Sequence, residues 1–381
     1  MKKLRMGMIG GGTGSFIGDV HRKAAAIDGM IELVCGAFSS TAEKSISSGK
    51  NLFLAEDRCY ANYEEMILKE KELPEDIRMD FVAIVTPNHM HFPPAKMALE
   101  NGFNVICDKP VTLTLEEALE LKKIITASEK AFALTHNYTG NSMVKQARAM
   151  VANGDLGKIR KIQVHYLQGW LATSVENTDH KQAAWRIDPK KSGIGGALGD
   201  IGTHAENLIE YITRLQIKEV AADLGQFGVG RILDDDGNLL IRMENGAKGT
   251  ISISQIALGE ENNLAIRVYG EKGSLEWHQE NSNILTTRWL SEPMKTYSSN
   301  GNGLYPEALE VSRIPAGHPE GYLEAFATIY KNFANHLIAI QNGKTIKNPD
   351  YPTVKDGIRG MQFIYASVKS NEQNSAWTPV E

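Results

Sequence analysis

Two residues whose types suit acid–base chemistry stand four positions apart in a glycine-rich stretch that reads GIGGALGDIGTH. On a helical turn the side chains of Asp200 and His204 would share one face, because residues at this spacing are neighbours there. A carboxylate beside an imidazole fixes the tautomer of the ring and raises its basicity, which predicts an oriented general base. The many small residues favour this interpretation, since they permit the close approach of a flat ring. The alternative is that Asp200 caps a helix and His204 packs behind it.

A third candidate for chemistry is Lys109, in the tripeptide Asp108-Lys109-Pro110 that follows a predicted strand. At the carboxyl end of a parallel strand, its ammonium would face the crevice where open sheets bind their ligands. An ammonium at that place stabilises negative charge on a substrate oxygen as a carbonyl and an alkoxide interconvert. The alternative is an ordinary turn fixed by the proline.

Near the N-terminus an apolar run, Met6 to Ile9, leads directly into a cluster of five glycines. This predicts a buried strand that ends in a dinucleotide-binding turn, because glycines let the backbone approach a pyrophosphate at a helix N-terminus. Gly10, Gly12 and Gly18 fit the three glycine roles, with a plain tight turn as the alternative. Five residues separate the second and third of these glycines, where the usual pattern has about two, so we expect a longer phosphate loop. The loop residues expected to contact the cofactor are Gly10, Gly12, Thr13, Gly14, Ser15, Phe16 and Ile17.

The segment after the second predicted strand should contact the adenosine ribose, through an acidic residue for NAD or a cation for NADP. Here it offers Ser39 and Ser40, and the nearest cation, Lys44, lies a helical turn further on. NAD is therefore the favoured cofactor, with NADP left open, because no arginine follows the strand directly.

A loop that reads TPNHMH follows the third predicted strand, again at the edge where an open parallel sheet binds ligands. We expect this loop to line the cofactor, and an ordinary turn built from proline and asparagine is the alternative. Its two histidines do not predict a metal site, since no zinc-binding pattern accompanies them. The residues expected at the cofactor from this loop and from the loop after the next strand are Thr86, Pro87, Asn88, His91, Asp108 and Lys109.

Short apolar strands alternate with helical patterns in the first third of the chain, which predicts a parallel sheet wound by right-handed crossovers. Longer strands joined by hairpin signals follow, and these predict an open, mostly antiparallel sheet. The fold class is therefore α/β, with a dinucleotide-binding domain over 1–140 and a second α/β domain over 141–381. Two amphipathic helices, Tyr322 to Asn342 and Val354 to Ser370, should cover one face of the second sheet. The acidic run Asp234-Asp235-Asp236 is interpreted as a solvated hairpin tip.

Length and composition are those of a two-domain globular protein, with 381 residues of which 42% are hydrophobic and 23% charged. No apolar run approaches the roughly 20 residues of a membrane span, and the start lacks the apolar region of a signal peptide. We therefore expect a cytoplasmic protein that binds no membrane. The three widely spaced cysteines match neither a disulfide framework nor a zinc pattern. A formal charge of −5 provides no basic stripe, which argues against nucleic acid as a partner.

Together, the glycine turn, TPNHMH, DKP and GDIGTH resemble, in order and approximate spacing, the motifs of the glucose-fructose oxidoreductase and inositol dehydrogenase family (Gfo/Idh/MocA). The resemblance extends nearly end to end. It implies a Rossmann domain that carries NAD(P) and a second domain whose open sheet makes homodimers or homotetramers. It also implies oxidation or reduction of a sugar or cyclitol hydroxyl. The chain departs from the family pattern in its longer phosphate loop, in Asp108 where the family has Glu, and in lacking an acidic residue at Ser39 or Ser40.

The resemblance also implies roles for individual residues. His204, oriented by Asp200, would remove the hydroxyl proton while hydride leaves the same carbon for nicotinamide, and Lys109 would stabilise the developing oxygen charge. A cationic and aromatic wall that suits a polyhydroxylated ring could be formed by Lys181, Gln182, Trp185 and Arg186. Further cofactor contacts are expected from Asn137, Trp185 and Arg186. The residues expected to contact substrate are Lys109, Tyr138, Trp170, Lys181, Gln182, His204 and His318.

Two other functions stay open. A glycoside hydrolase that recycles NAD would use the same Lys109 and His204, through transient oxidation at C3, elimination of the aglycone, water addition and re-reduction. Release of aglycone without net formation of NADH would distinguish it from a dehydrogenase. The second open function is that of a non-catalytic sensor that binds a nucleotide and a protein partner. The presence of Lys109, Asp200 and His204 argues against this function.

Overall fold

The computed structural model describes residues 3–173, 185–186 and 188–381. Contacts between residues divide the chain into two units. The first unit consists of Met1–Asn137 and Phe326–Ile358, and the second of Tyr138–Ala325 and Arg359–Glu381. The chain therefore leaves the first unit, builds most of the second, and then contributes a second segment to the first. None of the described helices is both long enough and apolar enough to cross a membrane.

Five strands form the sheet of the first unit. They are β1 (Leu4–Gly10), β2 (Ile31–Ala37), β3 (Phe81–Val85), β4 (Asn104–Cys107) and β5 (Phe132–Leu134). Their order across the sheet is β2-β1-β3-β4-β5, and neighbouring strands run parallel. The order reverses between β1 and β3, which makes this edge the switch point at which such sheets bind ligands. The predicted Rossmann architecture is therefore confirmed.

Helices follow the strands of this sheet in alternation, as the sequence predicts. They are α1 (Phe16–Ile27), α2 (Ala42–Asn51), α3 (Tyr63–Glu72), α4 (Phe92–Glu100) and α5 (Leu115–Ser128). The start of α5 is fixed by a capping box, in which the Thr114 hydroxyl accepts from the backbone of Glu117 at 3.2 Å and the Glu117 carboxylate accepts from Thr114 at 3.3 Å. Helix α2 escapes a sequence search because its buried face consists of Ser45, Ser48 and Gly49 rather than apolar side chains.

A larger sheet forms the second unit. Its strands are β6 (Ile159–Leu167), β7 (Ile217–Gly225), β8 (Asp236–Met243), β9 (Lys248–Ser254), β10 (Asn263–Gly270), β11 (Gly273–His278), β12 (Ile284–Trp289), β13 (Lys295–Ser298) and β14 (Thr378–Pro379). The order is β13-β12-β11-β10-β6-β9-β8-β7-β14. Strands β6 and β9 are parallel neighbours, and the other neighbouring pairs are antiparallel. The predicted open and mostly antiparallel sheet is confirmed, although β12, β13 and β14 were not predicted.

The remaining helices are α6 (Ser142–Ala152), α7 (Pro189–Ser192), α8 (Thr203–Thr213), α9 (Pro306–Leu309), α10 (Tyr322–Gln341) and α11 (Val354–Glu372). Helix α8 is preceded without a break by a π-helical turn over Leu198–Gly202. Turns of this kind are rare and recur at functional sites.

The expectation that both C-terminal helices cover the second sheet is wrong for α10. From Phe326 onward this helix belongs to the first unit, where Phe333 packs edge-on against Phe81 at 5.4 Å between ring centroids. Helix α11 does reach the second sheet, since the hydroxyl of Ser370 accepts from the backbone of Ala222 at 2.9 Å. An amphipathic pattern shows that a helix has an apolar face and does not show which sheet that face covers.

Candidate active site

The first glycines end strand β1 and open the turn that follows it. Gly10 and Gly11 have φ angles of +79° and +71°, a left-handed region that glycine adopts without steric cost. A Cβ on Gly18, in the first turn of α1, would lie 2.3 Å from the Cα of Gly11. Turn and helix can therefore pack this closely only with glycine at both positions. Gly11, which the sequence analysis did not single out, is the partner of the expected Gly18.

Helix α1 starts at Phe16. Two of the five residues between Gly12 and Gly18 are thus already helical, and the phosphate loop is lengthened less than expected. Ser15 caps the helix, because its hydroxyl accepts from the backbone N–H of Gly18 at 3.2 Å. Phe16 is 68% exposed at this helix start.

The loop tip is held from the side of α2. The backbone N–H of Thr13 donates to the hydroxyl of Ser48 at 3.1 Å, and that of Gly12 donates to the Phe38 carbonyl at 3.2 Å. A Cβ on Gly14 would meet no atom within 4 Å, so this residue faces open space. Ser48 is thus a supporting residue of the loop that sequence reasoning missed, since nothing in the α2 sequence marks it.

Observations in the first unit support the fit of a dinucleotide. The N-terminus of α1 supplies backbone N–H groups and the positive end of the helix dipole, beside glycines whose side-chain positions are occupied by neighbouring backbone. Asn137 is 2% exposed, and among the described residues its amide nitrogen Nδ2 has no hydrogen-bond partner. A buried donor of this kind is satisfied when a bound polar group supplies an acceptor. The residues present therefore fit NAD.

The end of β2 carries hydroxyl groups where a ribose contact is expected. Ser39 is half-buried, Ser40 is exposed, and Lys44 is exposed on α2. The hydroxyl of Ser39 accepts weakly from the backbone of Thr41 at 3.5 Å. Contacts of these three residues with the cofactor stay predictions.

The loop after β3 begins with a short 3-10 turn over Asn88–Met90. Thr86 donates from its hydroxyl to the carbonyl of Met90 at 2.7 Å, which fixes the loop together with the buried Asn88. Pro87 precedes the turn with an extended backbone. This loop lies beside the glycine turn, because β1 and β3 are neighbours that end at the same edge of the sheet.

The side chain of His91 differs from the expectation that it lines the cofactor. It is 1% exposed, with Nδ1 at 2.6 Å from the carbonyl oxygen of Pro110 and Nε2 at 2.9 Å from that of Thr86. The ring therefore links the loop after β3 to the loop after β4, which carries Lys109. Burial lowers the pKa of His91, against the smaller opposing effect of the Asp108 carboxylate.

Lys109 lies in the loop after β4, and its neighbour Asp108 holds that loop. The Asp108 carboxylate accepts from the backbone N–H of Lys109 at 2.9 Å and from the hydroxyl of Thr135 at 2.7 Å. His136 is buried nearby, and burial followed by the charge of Lys109 lowers its pKa to about 3. Asp108 thus ties the ends of β4 and β5 together and fixes the backbone from which Lys109 extends.

In the second unit, Asp200 lies in the π-helical turn and His204 in the first turn of α8. Oδ2 of Asp200 accepts from Nε of Arg186 at 3.1 Å and from Nε2 of Gln255 at 2.9 Å. Two donors therefore hold this carboxylate in place. The proposed orientation of His204 by Asp200 stays a prediction.

The ring of His204 lies among aromatic side chains and is 8% exposed. It meets Tyr138 edge-on at 5.0 Å and lies 6.2 Å from Tyr166, between ring centroids. The two tyrosine hydroxyls are 2.7 Å apart, and that of Tyr166 donates to Oδ1 of Asn262 at 2.8 Å. Burial raises the pKa of Tyr138 and of Tyr166, so both phenols stay protonated at neutral pH.

Arg186 connects this region to two tryptophans. Its guanidinium carbon lies 4.4 Å from the ring centroid of Trp185 and 5.8 Å from that of Trp170. Trp170 in turn donates from its indole N–H to Oε1 of Gln168 at 3.0 Å. The structure therefore joins Trp170, Trp185, Arg186 and Asp200 into one cluster.

Three amide side chains belong to this cluster and were missed by the sequence analysis. They are Gln168, which follows β6, Gln255, which follows β9, and Asn262, which precedes β10. All three stand at one edge of the sheet, because β6 and β9 are parallel and β10 is antiparallel to β6. A polar amide next to an apolar strand end was the available signal, but the sheet order was needed to bring the three together.

The substrate contacts predicted for His318, Lys181 and Gln182 stay predictions. His318 is exposed in a turn, where its Nδ1 donates to the Pro315 carbonyl at 3.1 Å. Lys181 and Gln182 lie outside the described residues. The interpretation of 234–236 as a solvated tip is wrong, since Asp234 and Asp235 are 6% and 1% exposed. Both carboxylates find backbone donors within the fold, which a sequence pattern does not reveal.

Comparison with known proteins assigns the chain to a family. The family model described as "Oxidoreductase family, NAD-binding Rossmann fold" matches residues 4–136, and that described as "GFO/IDH/MocA C-terminal domain" matches residues 144–276. The chain is 35% identical to the uncharacterized oxidoreductase YfiI of Bacillus subtilis, over 99% of this chain and 96% of that one. It is 27% identical to the levoglucosan dehydrogenase of Pseudarthrobacter phenanthrenivorans, over 77% and 78% of the two chains.

A solved structure shares nearly the whole fold. An inositol dehydrogenase homologue from Azotobacter vinelandii in complex with NAD+ is 34% identical, with a TM-score of 0.96 over 99% of this chain and 97% of that one. The same homologue with NADH and myo-inositol is 33% identical, with a TM-score of 0.91 over 99% and 98%. The first unit is therefore an NAD-binding Rossmann domain, and the chain belongs to the Gfo/Idh/MocA family of oxidoreductases.

Proposed function

We propose that this protein is an NAD-dependent dehydrogenase that interconverts a secondary hydroxyl and a ketone on a sugar or a cyclitol. The observation that carries the proposal is the cluster around Asp200 and His204, where a held carboxylate and a ring enclosed by tyrosines accompany amides and tryptophans. Relatives named for levoglucosan and inositol dehydrogenation support the same substrate class.

The composition of this cluster suits a polyhydroxylated ring. Amide side chains both donate and accept, so Gln168, Gln255 and Asn262 can pair with hydroxyl groups of either role. Trp170 and Trp185 offer flat apolar faces for the C–H face of the ring. Substrate contacts are accordingly proposed for Tyr138, Trp170 and His204 in this unit.

The acid–base role is proposed for His204. A neutral imidazole accepts the proton of the reacting hydroxyl, and a carboxylate on the same helical face stabilises the imidazolium that results. Lys109, held by the Asp108 loop, is proposed to stabilise negative charge on the same oxygen. When bound, NAD+ supplies the acceptor for the hydride that leaves the carbon.

The test is a substrate panel with the purified protein and NAD+, followed by the absorbance of NADH. The panel contains myo-inositol, other inositols, levoglucosan, aldoses and aryl glycosides. We expect net NADH from at least one inositol or sugar. Aglycone release without net NADH would show a redox-neutral hydrolase instead, and inactivity on every polyol and sugar would contradict the proposal.

Two variants test the assigned residues with the substrate so found. His204→Gln and Lys109→Met should each lower kcat by about 100-fold or more, because each removes a group that acts on the reacting oxygen. NADH binding, followed by fluorescence, should stay near the wild-type level in His204→Gln, whereas Lys109→Met, at an expected cofactor contact, tests turnover alone. His336→Gln and Lys122→Met are the matched controls and should keep normal turnover. A normal kcat in either test variant would remove that residue from the mechanism.

A further inference from the structure

The segment that precedes Asp200 is held by one distant residue. The carboxylate of Asp234 accepts from the backbone N–H of Gly196 at 2.7 Å and from that of Leu198 at 2.6 Å. Its backbone carbonyl accepts from the N–H of Ala197 at 2.8 Å. Three successive N–H groups at the start of the π-helical turn thus bind to a single residue. A helix start leaves such donors unpaired, and here no local side chain caps them.

The contact with Asp234 requires a glycine at position 196. A Cβ on Gly196 would lie 2.1 Å from the carbonyl oxygen of Asp234, so any other residue would push the two segments apart. This changes the interpretation of the glycine-rich stretch, whose small residues were expected to admit a flat ring. At Gly196 the missing side chain admits the protein's own backbone, whereas a Cβ on Gly199 would meet no atom within 4 Å.

The neighbouring Asp235 supports the carboxylate of Asp200 by a second route, through Gln255. Its backbone carbonyl accepts from the N–H of Gln255 at 2.8 Å, and the Gln255 side chain donates to Asp200 at 2.9 Å. The Asp235 carboxylate is itself fixed by Nη1 of Arg231 at 3.0 Å and by the N–H of Phe227 at 2.9 Å. Asp234 therefore holds the backbone just before Asp200, and Gln255 holds the side chain of Asp200.

We propose that Asp234 is a positioning residue, which sets the place of Asp200 relative to His204 by holding the start of the π-helical turn, with Asp235 and Gln255 as a second support. This rests on the proposed function of the Asp200–His204 pair. Burial raises the pKa of Asp234 to about 6, against the two backbone N–H groups that favour the ionised form. The fold thus keeps the Asp234 carboxyl buried although its desolvation costs free energy, which a turn on the surface would not require.

The test follows the imidazole of His204 directly and needs no substrate. The chain has ten histidines, and the NMR signal of His204 is identified by its loss in His204→Gln. Its pKa is then measured in wild type, Asp200→Asn, Asp234→Asn and Asp236→Asn. Asp236→Asn is the matched control, with the same charge change in the same acidic run. Circular dichroism and NADH affinity verify that each variant is folded.

We expect Asp200→Asn to lower the pKa of His204 by about one unit or more, since a nearby negative charge favours the imidazolium. Asp234→Asn should lower it by about half a unit or more, because the amide can accept from only one of the two N–H groups and the turn shifts. Asp236→Asn should titrate as wild type. A wild-type titration in Asp234→Asn, alongside a shift in Asp200→Asn, would overturn the positioning role alone.

Two further outcomes are also decisive. If Asp200→Asn leaves the titration of His204 unchanged, Asp200 does not act on the imidazole, and the acid–base assignment in the proposed function fails. If Asp234→Asn does not fold, Gln255→Met takes its place, because it keeps the backbone bond to Asp235 and removes the donor to Asp200. A wild-type titration in Gln255→Met would then contradict the proposal.

Discussion

Three histidines buried in the first unit are held neutral by their surroundings. His21, His91 and His136 are each at most 2% exposed, and burial lowers the pKa of all three. His21 lies in α1 with its Nδ1 at 2.8 Å from the hydroxyl of Tyr330. Its pKa falls to about 4 because burial outweighs the attraction of the Asp108 carboxylate.

The burial of His21 predicts a loss of stability on acidification. The unfolded chain binds this proton below about pH 6.5, whereas the folded protein resists it until about pH 4, so stability is full above the first value and falls below it. We expect His21→Asn, which can keep a bond to Tyr330, to lose about 2 kcal/mol less than wild type between about pH 7 and about pH 5. Urea unfolding at both pH values measures this, and equal losses in the two proteins would contradict it.

Single residues show where sequence reasoning succeeds and where it stops. Motifs of characteristic spacing single out Lys109, Asp200 and His204, whose catalytic roles stay predictions. Gln255 was missed because its partner Asp200 comes from a distant part of the chain. Asp234 was misinterpreted because an acidic run is normally solvated, and only the fold supplies the backbone donors that make its burial possible.

At the scale of elements, the contact between the glycine turn and α1 controls where the helix N-terminus lies. Gly18→Ala should weaken NADH binding by about tenfold or more, because the added Cβ collides with Gly11 backbone and displaces the loop. Fluorescence titration measures the change. Lys23→Ala, on the exposed side of the same helix, is the control and should bind normally. Wild-type affinity in Gly18→Ala would show that the loop can move without loss.

A second element-scale prediction concerns the ion pair that anchors α3. Arg58 donates twice to the fully buried carboxylate of Glu70, at 2.7 Å each, and the hydroxyl of Tyr60 donates to the same group at 2.8 Å. Arg58→Met leaves a buried charge without its main partner and should lower the free energy of unfolding by about 3 kcal/mol. Lys69→Met, which removes an exposed pair on the same helix, should change it by less than about 1 kcal/mol. Chemical denaturation distinguishes the two, and similar small losses would refute the prediction.

Most elements were predictable because their apolar pattern was clear, as in the continuous apolar run of β3 and the partly alternating β6, whose bounds agree with the sequence pattern. Helix α2 was missed because it buries serine and glycine. Helix α10 was recognised but given to the wrong sheet, since its apolar face fits either and the choice depends on partners such as Phe81. The apolar pattern of a segment therefore predicts whether it is a helix or a strand better than it predicts which elements pack against it.

At the scale of the whole molecule, the second sheet has a face with charged side chains. Glu276 on β11 accepts from Arg267 and Arg288, at 2.5 Å and 2.7 Å. Burial would raise the pKa of Glu276, but hydrogen bonds from His278, Arg267 and Arg288 outweigh it and hold the pKa at about 2. Glu276 therefore stays ionised at neutral pH, and a face with such charges can recognise an identical copy through symmetric contacts.

We expect the wild-type protein to be a homodimer or homotetramer that uses this face. Arg267→Glu places like charges side by side at Glu276 and should shift the protein to smaller species. Light scattering coupled to size-exclusion chromatography measures the mass, with Lys122→Glu on α5 as the control. A monomeric wild type, or an unchanged mass in Arg267→Glu, would count against this face as the interface.

The return of residues 326–358 to the first unit affects the order in which the chain matures during synthesis. Tyr330 and Phe333 complete the surroundings of His21 and Phe81, and the carbonyl of Pro352 accepts from Leu134 at 2.8 Å. A nascent chain gains these partners only after the ribosome has released the intervening segment. The nucleotide-binding half, although translated first, thus completes its core only late in synthesis, and a truncated product that ends before residue 326 exposes apolar surface that quality control can recognise.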